Sequence, residues 1–154
     1  MICLIEATVE NQEKITEIMT ASFNYDTSCY FGEGVTDGPP GYSDGSLAAR
    51  ILTEEKSQTW LIVYQEEIVG CLSINHENWE VKYFCLLPEF INQGIGTKTW
   101  EKIDEKLGER PWFLETPAYS IRNHHFYEKL DFAKVGEKEY ENGGQSYLYE
   151  KIRR

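Results

Sequence analysis

The feature that most constrains this chain is an apolar run that passes through a glycine-bearing turn into an amphipathic segment. The run covers residues 83–87, the turn contains Gly94 and Gly96, and apolar residues then recur at helical spacing as far as Gly108. Glycines between a strand and a helix let the backbone approach a ligand closely, and the free amides of the first helical turn attract an anion. The sequence therefore predicts a strand, a phosphate-binding turn and a helix that begins near Gly94.

Spacing distinguishes the kinds of phosphate-binding loop. A Walker-type loop needs Gly, four residues and then Gly-Lys-Ser/Thr, but position 91 is Ile and Thr97 follows Gly96 directly. A dinucleotide-binding fingerprint fits better through its first two glycines, although its third glycine is replaced by Thr99. That motif also comes too late in the chain for the remaining strands of a doubly wound domain. Both alternatives are disfavoured.

Two ordered motifs lie in the second half of the chain. The first, at residues 88–96, is a Pro-Glu-aromatic step followed by the glycine turn, and the second, at residues 126–132, is an aromatic-Tyr-Glu-Lys-Leu string. Together they resemble the motifs of the GNAT superfamily of N-acetyltransferases, which usually has Gln or Arg at the position of Ile91 and Gly at the position of Asp131. The resemblance implies one acetyltransferase domain over residues 1–154 and a turn that binds the pyrophosphate of acetyl-CoA.

The resemblance also implies which residues bind this cosubstrate, and it implies no metal. In the family, the turn holds the pyrophosphate through backbone amides and the preceding strand offers main-chain hydrogen bonds to the pantetheine arm. A polar residue ahead of the second motif contacts the same arm. Carried over to this sequence, the positions are Leu86, Gln93, Gly94, Ile95, Gly96, Thr97, Ser120, Asn123 and Tyr127.

The implied reaction is direct acetyl transfer to a primary amine of a small molecule or peptide. Such an amine has a pKa of about 10, so a base or a water chain must remove a proton before attack. Glu80 and Glu115 are the candidate bases because each lies in a strand beside the predicted cofactor site. Glu80 is preferred, with His76 as another candidate. Tyr127 matches the family tyrosine that protonates the leaving thiolate.

The remaining pattern predicts an α+β fold with a mixed, mainly antiparallel central sheet flanked by helices. Strands are predicted over 2–8, 59–64, 68–74, 79–87, 112–116, 133–140 and 145–152, and helices over 9–23 and 46–55. Residues 24–45 are rich in glycine and proline and predict a loop. In the resembled family this region helps to form the acceptor pocket, so Tyr25, Tyr30 and Phe31 are candidate substrate-binding residues.

Charge and cysteine usage limit the partners. The excess of 26 acidic over 15 basic residues gives a formal charge of -11, which disfavours nucleic acid and anionic membranes and suits a cationic acceptor. The chain has no CxxC pair, leader or long apolar span, so we expect a cytoplasmic protein with Cys3, Cys71 and Cys85 buried and reduced. The identity of the acceptor and the formation of a homodimer stay open. The alternative function is that of a non-catalytic acyl-CoA-binding regulatory module.

Overall fold

A computed structural model describes residues 1–152, which form one seven-stranded sheet covered by helices. The order of strands across the sheet is β1-β2-β3-β4-β5-β7-β6, and all neighbours are antiparallel except β4 and β5. The predicted α+β class and mainly antiparallel sheet are confirmed. The strands are β1 (Ile2–Glu6), β2 (Ser57–Tyr64), β3 (Glu67–Asn75), β4 (Glu80–Leu86), β5 (Phe113–Pro117), β6 (Phe132–Glu139) and β7 (Gln145–Lys151).

The helices cover both faces of the sheet, because alternate residues of the central strands are apolar on each side. They are α1 (Gln12–Phe31), α2 (Ser46–Thr53), α3 (Ile95–Leu107) and α4 (Ile121–Lys129). Helices α1 and α2 pack on one face against Leu61 and Cys71. Helices α3 and α4 pack on the other face around Leu72, Trp100 and Tyr127. Among residues 1–152, no helix is long and apolar enough to span a membrane.

Helix α1 extends eight residues beyond the predicted end at position 23, reaching Phe31. The extension is stabilised by distant contacts: Asp26 forms a 2.9 Å ion pair with Arg122 of α4, and the Thr27 hydroxyl donates to the carbonyl oxygen of Val35 at 2.8 Å. The prediction of a loop from position 24 is therefore wrong for this segment. The irregular segment begins at Gly32, whose φ of 111° ends the helix.

The prediction of three buried cysteines is wrong for Cys3. Cys71 and Cys85 are buried and face each other across β3 and β4. Cys3 is exposed, because it alternates with the buried Ile2 along β1, an edge strand whose outward-facing side chains meet solvent.

Strands β4 and β5 separate soon after they meet. Their parallel register comprises the pairs Glu80–Phe113 and Val81–Leu114, and β4 then continues to Leu86 while β5 ends at Pro117. This parallel pair makes the sheet mixed, as predicted. Because the two strands diverge, the backbone edge of β4 beyond position 81 is not paired with β5, and this gap positions the candidate site.

Candidate active site

The predicted phosphate-binding turn connects β4 to α3. Asn92 and Gly94 adopt left-handed conformations, with φ of 65° and 78°. Helix α3 begins at Ile95, and its first helical hydrogen bond runs from the Lys98 amide to the Gly94 carbonyl oxygen at 3.2 Å. The backbone N–H groups between Gly94 and Lys98 thus lie ahead of that bond and are available to an anion. The predicted helix start is confirmed.

Gly96 serves packing rather than an unusual backbone conformation. A Cβ atom at this position would lie 2.8 Å from Cε1 of Phe126 and 2.9 Å from its Cζ. Phe126 belongs to α4, and its ring also contacts Phe84 of β4 at a centroid distance of 5.6 Å. The absence of a side chain at Gly96 therefore allows α4 to approach the start of α3 and close one wall of the site.

A first cavity of about 700 Å³ lies between this turn, the end of β4 and α4. Most of the predicted cofactor-binding residues line it, namely Leu86, Gly94, Ile95, Gly96, Thr97, Asn123 and Tyr127. Gln93 does not, since its side-chain amide donates to the carbonyl oxygen of Glu89 at 2.8 Å. Ser120 is also outside the lining: it is fully buried and donates to Asp26 at 3.3 Å. The Ser120 side chain thus has a protein partner, whereas the contact expected of Gln93 is through its backbone amide and stays a prediction.

The first cavity has a basic wall in a strongly acidic protein. Arg122, His125 and Lys129 are spaced three and four residues apart on α4, so they share the helix face that lines the cavity. Within the described part of the chain, its lining includes no Asp or Glu. Basic side chains beside free helix amides are suited to a polyanionic ligand such as a pyrophosphate.

A second cavity of about 940 Å³ adjoins the first across the gap between β4 and β5. Its lining contains the carboxylates of Asp37, Glu80 and Glu115 and many aromatic rings, and Lys82 is the one basic residue among the described residues that line it. Of the three candidate substrate-binding residues, Phe31 lines this cavity, Tyr30 lines the first cavity, and Tyr25 lines neither. The ring of Tyr25 instead lies 5.2 Å from the guanidinium carbon of Arg122.

The structure brings both candidate bases into the second cavity. The carboxylate of Glu80 lies 3.7 Å from the Lys82 ammonium. Glu115 accepts a hydrogen bond from the Tyr140 hydroxyl and lies 4.0 Å from the Lys138 ammonium. The hydrogen bond to Glu115 is the main cause of a raised pKa at Tyr140, which therefore remains a donor at neutral pH.

The other candidate base, His76, lies apart from both cavities. It is exposed, and its Nε2 atom is 2.8 Å from the carbonyl oxygen of Glu55. The His76 side chain therefore contacts the backbone of Glu55 and does not reach the gap between β4 and β5.

Tyr127 lines both cavities, and so does Asn123, which belongs to the same helix α4. Its side chain packs against Phe126 and Phe132, with ring centroids at 5.1 and 5.6 Å, and the residue is only 7% exposed. Its hydroxyl makes no hydrogen bond to another of residues 1–152. Burial, with a smaller contribution from Cys85, raises the pKa of Tyr127 well above its usual value. The group is thus a neutral proton donor where the cavities meet.

Sequence reasoning did not assign a role to the basic face of α4 or to Asp26. The basic face could have been found, because its residues recur at helical spacing just before and within the second motif. The buried Asp26 could not, because its partner Arg122 is 96 positions away. The substitution at Asp131 also gains an explanation: its φ of 68° is left-handed, which favours the glycine of the family, but Asp tolerates this conformation better than most residues. Within the described residues, no group of three or more His, Cys, Asp or Glu side chains could hold a metal ion.

The sheet splits beside the glycine turn, and a cavity with basic lining residues and a cavity with acidic lining residues meet at Tyr127. The family profile described as "Acetyltransferase (GNAT) domain" matches residues 30–152. The chain therefore belongs to the GNAT acetyltransferase family. Comparison with curated protein sequences finds no significant match.

Solved structures of N-acetyltransferases share the fold. The PaiA N-acetyltransferase of Thermoplasma acidophilum, crystallised with coenzyme A, superposes with a TM-score of 0.75 at 16% identity, covering 99% of both chains. The ribosomal-protein-S18-alanine N-acetyltransferase of Escherichia coli superposes with a TM-score of 0.72 at 12% identity, and the match covers 98% of this chain and 93% of that one. A chimera of the Vibrio cholerae spermidine N-acetyltransferase SpeG and hSSAT superposes with a TM-score of 0.67 at 11% identity, and the match covers 98% of this chain and 94% of that one. At these identities the similarity shows the fold alone.

Proposed function

We propose that this chain transfers an acetyl group from acetyl-CoA to a primary amine of a small molecule or peptide by direct attack. The observation that carries the proposal is the meeting of a basic cavity and an acidic, aromatic cavity at Tyr127. An anionic cosubstrate fits the first cavity, and a cationic amine fits the second. The reacting groups would meet at the wall that the cavities share.

The residues of the first cavity fit acetyl-CoA, which would supply the activated thioester. The backbone amides of Ile95, Gly96 and Thr97 would bind the pyrophosphate, with further charge from the basic face of α4. The unpaired edge of β4 near Leu86 would orient the pantetheine arm as an added strand does. This positioning fixes the acyl group beside the acceptor and supplies part of the rate enhancement.

Two proton transfers involve residues at the gap. Glu80 would accept a proton from the acceptor ammonium, directly or through water, because its carboxylate lines the second cavity and is held only by an ion pair to Lys82. Glu115 is the less suitable base, since the Tyr140 hydroxyl already donates to it. Tyr127 would donate a proton to the departing thiolate, because its hydroxyl is protonated and unpartnered where the cavities meet.

The test measures thiol release from acetyl-CoA across a panel of amines, with the Tyr127→Phe variant and a matched Tyr25→Phe control. Loss of a general acid is expected to lower kcat by about 100-fold while the KM for acetyl-CoA changes little. Tyr25→Phe should behave as wild type, since Tyr25 lines neither cavity. An unchanged kcat across pH would remove Tyr127 as the acid. Tight CoA binding without turnover on any amine would reject the enzyme and favour a binding module.

A further inference from the structure

We infer that the acceptor is a small aliphatic diamine, and that Asp37, Phe31 and Tyr119 hold the ammonium group that does not react. The inference rests on the proposed function, because it specifies the substrate class of the second cavity. It concerns a part of that cavity whose lining residues have no role in the proposed acetyl transfer.

An aromatic corner marks this part of the second cavity. Phe31, the last residue of α1, and Tyr119, between β5 and α4, both line it, and their rings meet edge to face with centroids 4.7 Å apart. Phe31 is 57% exposed, so a large apolar ring ends a helix facing the open cavity instead of the core. The faces of such rings attract a cation, and paired rings form the walls of known ammonium-binding cages.

Asp37 supplies a carboxylate to the same corner. Its Oδ1 atom accepts a 2.9 Å hydrogen bond from the amide of Gly38, and it has no ion pair within the described residues. Glu80 and Glu115, by contrast, each have a lysine within 4.0 Å. The charge of Asp37 is close enough to Tyr119 to contribute, after burial and Asp26, to raising the pKa of that tyrosine to about 12. Asp37 is therefore the lining carboxylate that is available to an external cation.

The aromatic corner is separate from the reacting end of the cavity. Tyr127 lines both cavities, whereas Asp37, Phe31 and Tyr119 line only the second cavity. A monoamine bound at the reacting end would leave Asp37 without a counter-ion. A diamine would place one nitrogen near Tyr127 and the other near Asp37. The cavity volume of about 940 Å³ is within the range of small-molecule sites.

The experiment compares kcat/KM for straight-chain diamines of increasing length, for n-alkylamines of equal length and for a tripeptide without basic side chains. The best diamine is expected to exceed its matched monoamine by about 10-fold or more, equivalent to about 1.4 kcal/mol of added binding. In Asp37→Asn this advantage should disappear, because the KM for the diamine rises by more than the KM for the monoamine while kcat changes little for either amine. Glu33→Gln is the matched control, because Glu33 lies in the same exposed segment but lines neither cavity.

A calorimetric titration of the same diamine into protein saturated with CoA separates this inference from the proposed function. Binding that weakens in Asp37→Asn but not in Glu33→Gln supports the diamine site even if no amine is acetylated, in which case only the proposed function fails. Turnover with equal kcat/KM for monoamines and diamines overturns the diamine site and leaves the proposed function standing. A tripeptide that exceeds every diamine overturns it too, as does a diamine advantage that survives in Asp37→Asn.

Discussion

Replacement of Arg122 by alanine is expected to lower the free energy of unfolding by about 3 kcal/mol. Asp26 is 7% exposed, and its Oδ1 accepts hydrogen bonds from Nη2 of Arg122 at 2.9 Å and from Oγ of Ser120 at 3.3 Å. Removing one partner of a buried pair costs about 3–5 kcal/mol, because the other charge stays buried without compensation. The lower end applies here, since the Arg122 side chain is 29% exposed and solvent screens part of the pair.

Urea unfolding followed by circular dichroism measures this loss. With an m value of about 2 kcal/mol/M, a loss of about 3 kcal/mol lowers the midpoint by about 1.5 M. The matched control is Lys14→Ala, which removes an ion pair of 3.4 Å to Glu17 whose acidic side chain is 62% exposed. An exposed pair of this kind contributes less than about 0.5 kcal/mol.

The loss should also depend on pH in a defined direction. Burial raises the pKa of Asp26 above 3.8, against the opposing effect of Arg122. The folded state therefore binds more protons than the unfolded state between the unfolded and folded pKa values, and stability from this group falls as pH rises through that window. Without Arg122 the folded pKa rises further and the window widens upward. The penalty of Arg122→Ala is thus largest at neutral pH and shrinks toward pH 3.8.

The double variant Arg122→Ala with Asp26→Asn completes the cycle. It should be more stable at neutral pH than Arg122→Ala alone, because the uncompensated charge is gone. The reasoning is refuted if Arg122→Ala differs from wild type by less than about 0.5 kcal/mol, the value of an exposed pair. It is equally refuted if the penalty does not shrink as the pH is lowered from 7 toward 3.8.

Three further variants test the site and its supports. Gly96→Ala should raise the KM for acetyl-CoA several-fold in steady-state kinetics, because its Cβ would lie 2.8 Å from a ring carbon of Phe126 and displace the cavity wall. Lys129→Ala should weaken CoA binding in calorimetry and reduce its salt dependence, because a lining cation is lost. Tyr42→Phe should lower unfolding stability by about 1 kcal/mol in urea, because its hydroxyl donates a 2.7 Å hydrogen bond to Asn24.

Matched variants elsewhere in the chain control these three predictions. Gly136→Ala should leave the KM unchanged, since its Cβ would meet Leu148 at an ordinary 3.5 Å. Lys102→Ala removes an exposed α3 cation outside the first cavity and should leave CoA affinity unchanged. Tyr64→Phe removes a hydroxyl that only accepts an exposed hydrogen bond of 3.3 Å and should cost little stability. If a variant and its matched control have equal effects, the contact on which that variant's prediction rests is contradicted.

The parts of the fold that could be predicted from the sequence depend on neighbouring residues. The start of α3 follows from the glycine turn and the helical recurrence after it, and the β2–β3 hairpin follows from two apolar runs around a short polar turn. The start of α3 and this hairpin need no knowledge of distant contacts, and the structure contains both. The placement of Glu80 and Glu115 in one region came instead from the resemblance to the family, because the pairing of β4 with β5 joins distant parts of the chain.

The end of α1 and the direction of Ser120 could not be predicted, because distant partners decide both. Asn, Asp, Thr and Ser are poor residues for a helix interior, so the local sequence after position 23 favours a loop. The structure overrides that preference through Asp26, which holds Arg122 and Ser120 across the molecule. The same contact orients Ser120 away from the cofactor cavity. Local propensity and family position carry no information about such a pair.

The segment after α1, residues 32–40, forms part of the wall of the second cavity without taking part in the core. None of its residues is buried, yet Val35, Asp37 and Pro39 line the second cavity. Exposed substitutions usually change folding stability by less than about 0.5 kcal/mol, so this wall can diverge freely during evolution. The wall of the first cavity cannot, because Gly96 and Tyr127 are packed into the core. Changes in the lining of the second cavity therefore cost this chain little folding stability, whereas changes in the lining of the first cavity disturb the core.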